Sequence, residues 1–305
     1  MTAEATPGAP TAPFGTVLTA MATAFAPDGS LDLESTQRIA RHLVAHGHDG
    51  LVVSGTTGES PTTTPTEDGE VLAAVRDAVG PDIVLVAGVG TNDTRTSIGL
   101  AKQASQAGAD GLLLVTPYYN KPGQAGVLHH FRQVVGASDV PVMLYDVPGR
   151  TGTQLSLESY AEVARWEQVL AVKDAVGDLA RGVRISQLGL ALYSGDDIAN
   201  LGWLAHGAVG FVSVVGHVAG DQLRAMHDAH RAGRVGEALD IYTRMLPAIE
   251  AVMGVANYGA TTAKASLELL GVLDNRRVRS PLLELDDTEV AALRAGLEAA
   301  GLLPA

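Results

Sequence analysis

Eight short apolar runs, most of them rich in β-branched residues, recur along the chain at intervals filled by helix-like segments. They are Val17–Thr23, Gly50–Ser54, Ile83–Gly88, Gly111–Thr116, Val140–Tyr145, Val169–Lys173, Leu190–Ser194 and Gly210–Val215. Runs this continuous suit parallel strands buried on both faces rather than strands with one wet face. The segments between them carry helix signals. Thr64-Pro65-Thr66-Glu67 has the spacing of a capping box with proline at the first helical position, ahead of Val71, Leu72 and Val75. Leu33 to Val44 and Thr96 to Ala107 have the same periodicity, and Gly47, Gly80 and Gly108 stand where helices should stop. Right-handed crossovers between such units predict an α/β chain closed into a (β/α)8 TIM barrel. An open doubly wound sheet is the rival, but the glycines at Gly88 and Gly90 lack the third member of a nucleotide-binding turn.

After the eighth run the pattern is helical only, from Asp221 to Leu303. The expected organisation is a flexible tail over 1–13, a barrel core over 14–220, and the last barrel helix with a small C-terminal helical extension over 221–305. The net charge of -13, from 21 basic and 34 acidic residues, argues against nucleic acid or an anionic membrane as partner. No run approaches the ~18 apolar residues of a membrane span. The first residues have neither the basic nor the apolar stretch of a secretory signal, so a cytoplasmic location is expected. With no cysteine, a thiol nucleophile, thiolate metal ligands and disulfides are excluded.

In a barrel of this kind chemistry sits at the C-terminal ends of the strands, which filters the candidates. The chain has four lysines. Lys102 falls on a helical face, Lys121 in a Pro/Gly loop and Lys264 in the helical tail, all positions that suit surface or structural roles. Lys173 instead ends the apolar strand of VLAVKDA. Burial there lowers the pKa of an amine and leaves it nucleophilic. The competing reading is a lysine paired with a buried acid such as Asp196 or Asp197.

GTTGES, Gly55 to Ser60, follows the second strand, where turn amides and threonine hydroxyls can hold a carboxylate; a plain βα turn is the alternative. Tyr145 ends the fifth strand in YDVPGRTG, placed to relay protons, and Arg150 can fork onto a carboxylate. A packed aromatic and a surface arginine are the competing readings. Tyr118 and Tyr119 follow the fourth strand and suit rim packing or an interface. His42 and His46 are spaced i, i+4 with His48 behind, but they lead into a strand on the non-catalytic face and suit a solvated helix end. His217 stands alone, and Asp196 and Asp197 lack partner ligands, so no metal site is expected.

Taken together, GTTGES (55–60), TPYYNKP (116–122), YDVPGRTG (145–152), AVKDA (171–175), YSGDD (193–197) and GAVGFVSV (207–214) resemble the dihydrodipicolinate synthase family, within the N-acetylneuraminate lyase superfamily. They occur in family order over about residues 14 to 303. The resemblance implies condensation of pyruvate with L-aspartate 4-semialdehyde in lysine biosynthesis, through an imine on Lys173 and without a cofactor. It implies a proton relay of Tyr145, Thr57 and Tyr119, the last given across a tight dimer interface of a homotetramer. Thr56-Thr57 matches the seat of the pyruvate carboxylate, Arg150 that of the semialdehyde carboxylate, and Gly195 and Val212 the pyruvate pocket.

Where lysine-inhibited relatives carry two histidines and a glutamate, this chain has Pro65, Asp68 and Thr96, while Ser60, Asn92 and Tyr118 still match. Weak or absent lysine inhibition is therefore expected. Near Asn257-Tyr258-Gly259 the family's common proline-containing segment is missing. The nearest alternative is a sister lyase acting on a sugar acid such as N-acetylneuraminate or a 2-keto-3-deoxy acid; a catalytically inactive binding homologue is the other.

Overall fold

A computed structural model describes residues 11–304. Eight parallel strands form a closed barrel in sequence order: β1 Val17–Ala20, β2 Gly50–Val53, β3 Val84–Gly88, β4 Gly111–Val115, β5 Val142–Asp146, β6 Val169–Asp174, β7 Ala191–Ser194 and β8 Gly210–Ser213. Each lies on one of the expected apolar runs. The main differences are at the ends. Met21–Thr23 leave the ladder although Met21 N–H still donates to Val52 O, and β6 runs on to Asp174 because that residue pairs with Asp146.

Alternation along each strand builds two cores from one sheet. Inward residues such as Leu18, Val52, Val86, Met143, Tyr145, Ala171, Tyr193 and Val212 fill the barrel. Outward residues such as Leu51, Leu85, Leu112, Leu144, Val172 and Leu192 meet the surrounding helices. The β5–β6 ladder contains one irregularity: Val142 pairs with Val169 but Met143 pairs with Ala171, so Leu170 is skipped.

Phe14 closes the floor, its N–H donating to the Tyr193 hydroxyl, which in turn donates to Gly15 O. Of the expected flexible tail, Thr11 to Pro13 are placed, with Ala12 packed on the interior cluster and its carbonyl accepting from Gly15 N–H; the remainder lies outside the described residues. The capping box of Thr64 with Glu67 forms as the spacing predicts, and Gly80 ends that helix at φ 76. The last barrel helix, Gly216–Arg231, starts ahead of the expected Asp221 and packs with Val235–Met253, Ala260–Leu269 and Asp287–Ala299 around a second apolar cluster. Among the described residues no helix is long and apolar enough to cross a membrane.

The histidines depart from expectation. His48 is buried: Nδ1–H donates to Leu43 O and Nε2 accepts from the Thr19 hydroxyl. His217 does not stand alone. Its Nε2 accepts from Ala22 N–H, its Nδ1 donates to Val214 O, and its carbonyl is bonded by His42 Nε2. Both buried rings have every nitrogen used in the neutral form, and burial holds their pKa values down, to about 4 for His48 and about 3 for His217.

In the unfolded chain both titrate near ~6.5. The unfolded state therefore binds more protons than the folded one below that pH, and stability is lost as pH falls through the window below ~6.5, with a slope approaching about 1.4 kcal/mol per pH unit for each ring. Thermal unfolding followed from pH 7.5 to 4.5 should show a falling Tm, and H217Q should flatten the decline by about one proton's worth; an identical slope in the variant would contradict the assignment.

Candidate active site

The end of β6 is fixed from behind. Lys173 faces the barrel interior and Asp174 the helices, and the same alternation on β5 separates Tyr145 from Asp146. Arg181, on the helix Leu179–Ser186, donates through Nη1 to Asp174 (2.9 Å) and through Nη2 to Asp146 (2.6 Å), with Nη2 also reaching Leu155 O. Both carboxylates are buried. Tyr160 donates a further hydrogen bond to Asp146, and Val176 N–H one to Asp174. One guanidinium thus ties together the chain neighbours of the two central polar residues, which stand opposite each other in the ladder. Sequence reasoning missed Arg181; the available signal was an aspartate directly after both Tyr145 and Lys173.

Lys173 is 5% exposed, with Nζ 4.4 Å from the centre of the Tyr145 ring. The competing reading of a salt-bridged lysine does not hold, since among the described residues Lys173 has no ion-pair partner. Asp197 is committed elsewhere: its carboxylate accepts from Ser213 Oγ, Val214 N–H, Val215 N–H and Asn200 Nδ2, pinning the exit of β8. Burial pulls the Lys173 ammonium down to about 8, partly opposed by the charge of Asp197 and reinforced by that of Arg150. Burial pushes the Tyr145 hydroxyl up to about 12, so it stays protonated and able to donate.

These groups open into a cavity of about 550 Å³ at the C-terminal ends of the strands. Thr56, Thr57, Tyr145, Arg150, Lys173 and Gly195 all line it. A Cβ on Gly195 would come within 3.0 Å of Lys173 Cγ and of Asp174 O, so glycine keeps the lysine free to move. Val212 is not on the wall. It lies in the interior cluster with Tyr145, and Val214, two residues on, reaches the cavity instead.

A second cleft of about 350 Å³ adjoins the first, lined by Ser60, Asp68, Tyr118 and Tyr119 and sharing Thr56, Tyr145 and Arg150 with it. Thr56 therefore stands on both walls, whereas Thr57 faces the C-terminal extension, with its hydroxyl 3.9 Å from where a Cβ on Gly259 would lie. Tyr119 is 88% exposed and holds φ 71, an uncommon conformation for an aromatic residue. In this chain it lines the second cleft and not the first.

The remaining lysines fall as expected, with Lys102 and Lys121 exposed and Lys264 buried in an ion pair with Glu59. Tyr258, from the extension, was not foreseen as a site residue; it lines the cavity with its ring 5.0 Å from the Arg150 guanidinium. Among the described residues no group of three or more histidines, aspartates or glutamates is arranged to hold a metal ion.

Against known proteins, the profile of the dihydrodipicolinate synthetase family matches residues 13–300. A 4-hydroxy-tetrahydrodipicolinate synthase of Kineococcus radiotolerans is 53% identical over 99% of this chain and 98% of its own. One from Streptomyces coelicolor is 50% identical over 96% of this chain and 97% of its own. The crystal structure of the dihydrodipicolinate synthase from Cyanidioschyzon merolae with lysine bound is 38% identical, with a TM-score of 0.91 over 95% of this chain and 99% of that one.

Proposed function

Because this chain belongs to the dihydrodipicolinate synthetase family and is a lyase with the 4-hydroxy-tetrahydrodipicolinate synthase activity of its relatives, we propose that Lys173 carries the reaction as an imine with pyruvate. The observation that supports this most is a buried lysine with no ion-pair partner among the described residues, facing a cavity beside a protonated tyrosine.

The neutral amine attacks the ketone carbon of pyruvate. The Tyr145 hydroxyl donates a proton to the departing oxygen, and water leaves. The iminium acidifies the methyl group, which loses a proton to give an enamine. The enamine carbon then bonds to the aldehyde carbon of L-aspartate 4-semialdehyde. Finally the substrate's own amine attacks the iminium carbon, releasing Lys173 and closing a six-membered ring. The iminium itself takes up the electron pair, so this sequence calls for no cofactor.

Arg150 takes the carboxylate of the semialdehyde, a task suited to a planar fork of donors. Thr57 and its turn amides seat the carboxylate of pyruvate. Thr56, shared by both cavities, carries protons between Tyr145 and a tyrosine hydroxyl in the second cleft, the part expected of Thr57 from sequence. The exposure of Tyr119 fits delivery to the site of a second subunit, and with it a homotetramer built from tight dimers. A cytoplasmic location completes the reading. A sugar-acid lyase would have less use for a guanidinium at this wall, and cleavage of N-acetylneuraminate assayed beside the condensation separates the two.

Borohydride added with pyruvate should leave a pyruvate-sized adduct on the peptide containing Lys173, seen by peptide mass mapping. Only the neutral amine attacks, so the trapping rate should climb as pH rises through about 8 and then level off. An adduct on Lys121 or Lys264, or none at all, would overturn the mechanism.

A further inference from the structure

Arg150 lies on the short helix Pro148–Thr151, is largely exposed, and among the described residues has no carboxylate partner. A guanidinium on a flexible stem in that setting samples many orientations. What restrains it is the face of Tyr258, 5.0 Å from its central carbon. A contact of the guanidinium carbon with the ring face leaves N–H groups available to a ligand in the cavity.

Tyr258 is itself held by its segment. Its N–H donates to Val255 O, while the neighbouring Asn257 reaches Leu283 O through Nδ2 and accepts from the Thr261 hydroxyl at its carbonyl. Gly259 follows at φ 111, a backbone conformation that glycine alone adopts at little cost, and this turn brings the tyrosine back over the barrel mouth. Tyr258 is half-buried and lines the cavity opposite the strand-end residues, so it contributes to the site as well as to packing.

We infer that Tyr258 is a positioning residue for the second substrate: it fixes the plane of Arg150 so that the cavity selects a short aldehyde carrying a carboxylate. This rests on the reading of Arg150 given above. A double-mutant cycle tests it. Y258A should raise KM for aspartate semialdehyde about tenfold, the scale of a partly desolvated cation–π contact, while KM for pyruvate and the borohydride trapping rate stay near wild type. Y258F, which keeps the aromatic face, should recover most of that loss. In an R150A background Y258A should add little, because its partner is already gone.

Additive losses in the cycle, an equal rise in both KM values, or no change in Y258A would each overturn the inference. Absence of a pyruvate adduct in the wild-type enzyme would instead strike at Lys173, so the two failures are distinguishable.

Discussion

Replacing Lys173 with methionine is expected to lower turnover by on the order of 10³-fold or more while leaving the protein as stable as before or more so. The two halves of this result come from the same geometry. On the proposed mechanism this amine attacks the ketone, so its loss removes the covalent route. At neutral pH it is also a buried charge that has no ion-pair partner among the described residues. Its folded pKa of about 8 lies below the unfolded value near ~10.4, so below pH 8 the folded state carries a desolvation cost of roughly 1–3 kcal/mol. Wild-type stability should rise relative to the variant as pH climbs from 8 toward ~10.4, where the unfolded chain also loses its proton. Methionine keeps most of the packing of the stem. Turnover and Tm measured together decide the matter: a variant with more than a few per cent of wild-type activity, or one several degrees less stable, would mean that Lys173 is structural.

Lys264→Met should give the opposite sign. Lys264 is as deeply buried, and burial likewise pulls its ammonium down to about 8, but it donates to Glu59 and to Arg277 O and lies over the Phe25 ring at 4.1 Å. The other oxygen of Glu59 accepts from Arg279 N–H, and the Arg279 guanidinium lies 4.2 Å from the same ring. Removing the lysine strands a buried carboxylate, which costs about 3–5 kcal/mol. Tm should fall by roughly 10 °C for a chain of this size. The double variant E59Q/K264M removes the stranded charge and should recover much of the loss. If K264M alone melted within a degree or two of wild type, the pair would be an idle contact. Glu59 sits in the same turn as Thr56 and Thr57, so K264M should also weaken pyruvate binding, through the shape of that turn.

The contrast between these two lysines marks how far the sequence could be read. Strand periodicity located all eight strands, because residues buried on both faces leave an uninterrupted apolar signature. The rule that barrel chemistry follows the strands then separated Lys173 from Lys102, and the exposed Pro/Gly loop around Lys121 set that residue aside. The same rule brought forward Tyr145, Arg150 and the Thr56-Thr57 turn, whereas Gly195 came only from the family resemblance. What escaped depends on contacts between distant parts of the chain. Glu59 meets Lys264 across 205 residues, and Arg181 meets Asp146 across 35. No local pattern announces either. Tyr258 arrives from the extension, whose helical periodicity gives no hint that one of its turns covers the barrel mouth. His48 read as a solvated helix end because its partners, Thr19 and the helix Gly216–Arg231, lie elsewhere in sequence. Val212, matched to the pyruvate pocket by resemblance, lies in the interior cluster beside Tyr145, while Val214 reaches the cavity wall. Inward-facing positions on one strand look alike until the depth of the cavity floor is known.

The clamp of Arg181 on Asp146 and Asp174 has a bearing on folding as well as on the site. Side chains alternate along a strand, so a slip of β6 by one residue would turn Asp174 into the barrel and Lys173 out toward the helices. The ladder already departs from regular pairing at Leu170, so its register beyond that point is set by other contacts. In the slipped pairing the guanidinium would lose one of its two carboxylates, and the amine would leave the cavity for the apolar layer beneath the helices. The ion pair therefore acts as a register check. A β6 paired one residue out would forfeit one of these buried ion pairs and carry the amine away from the cavity.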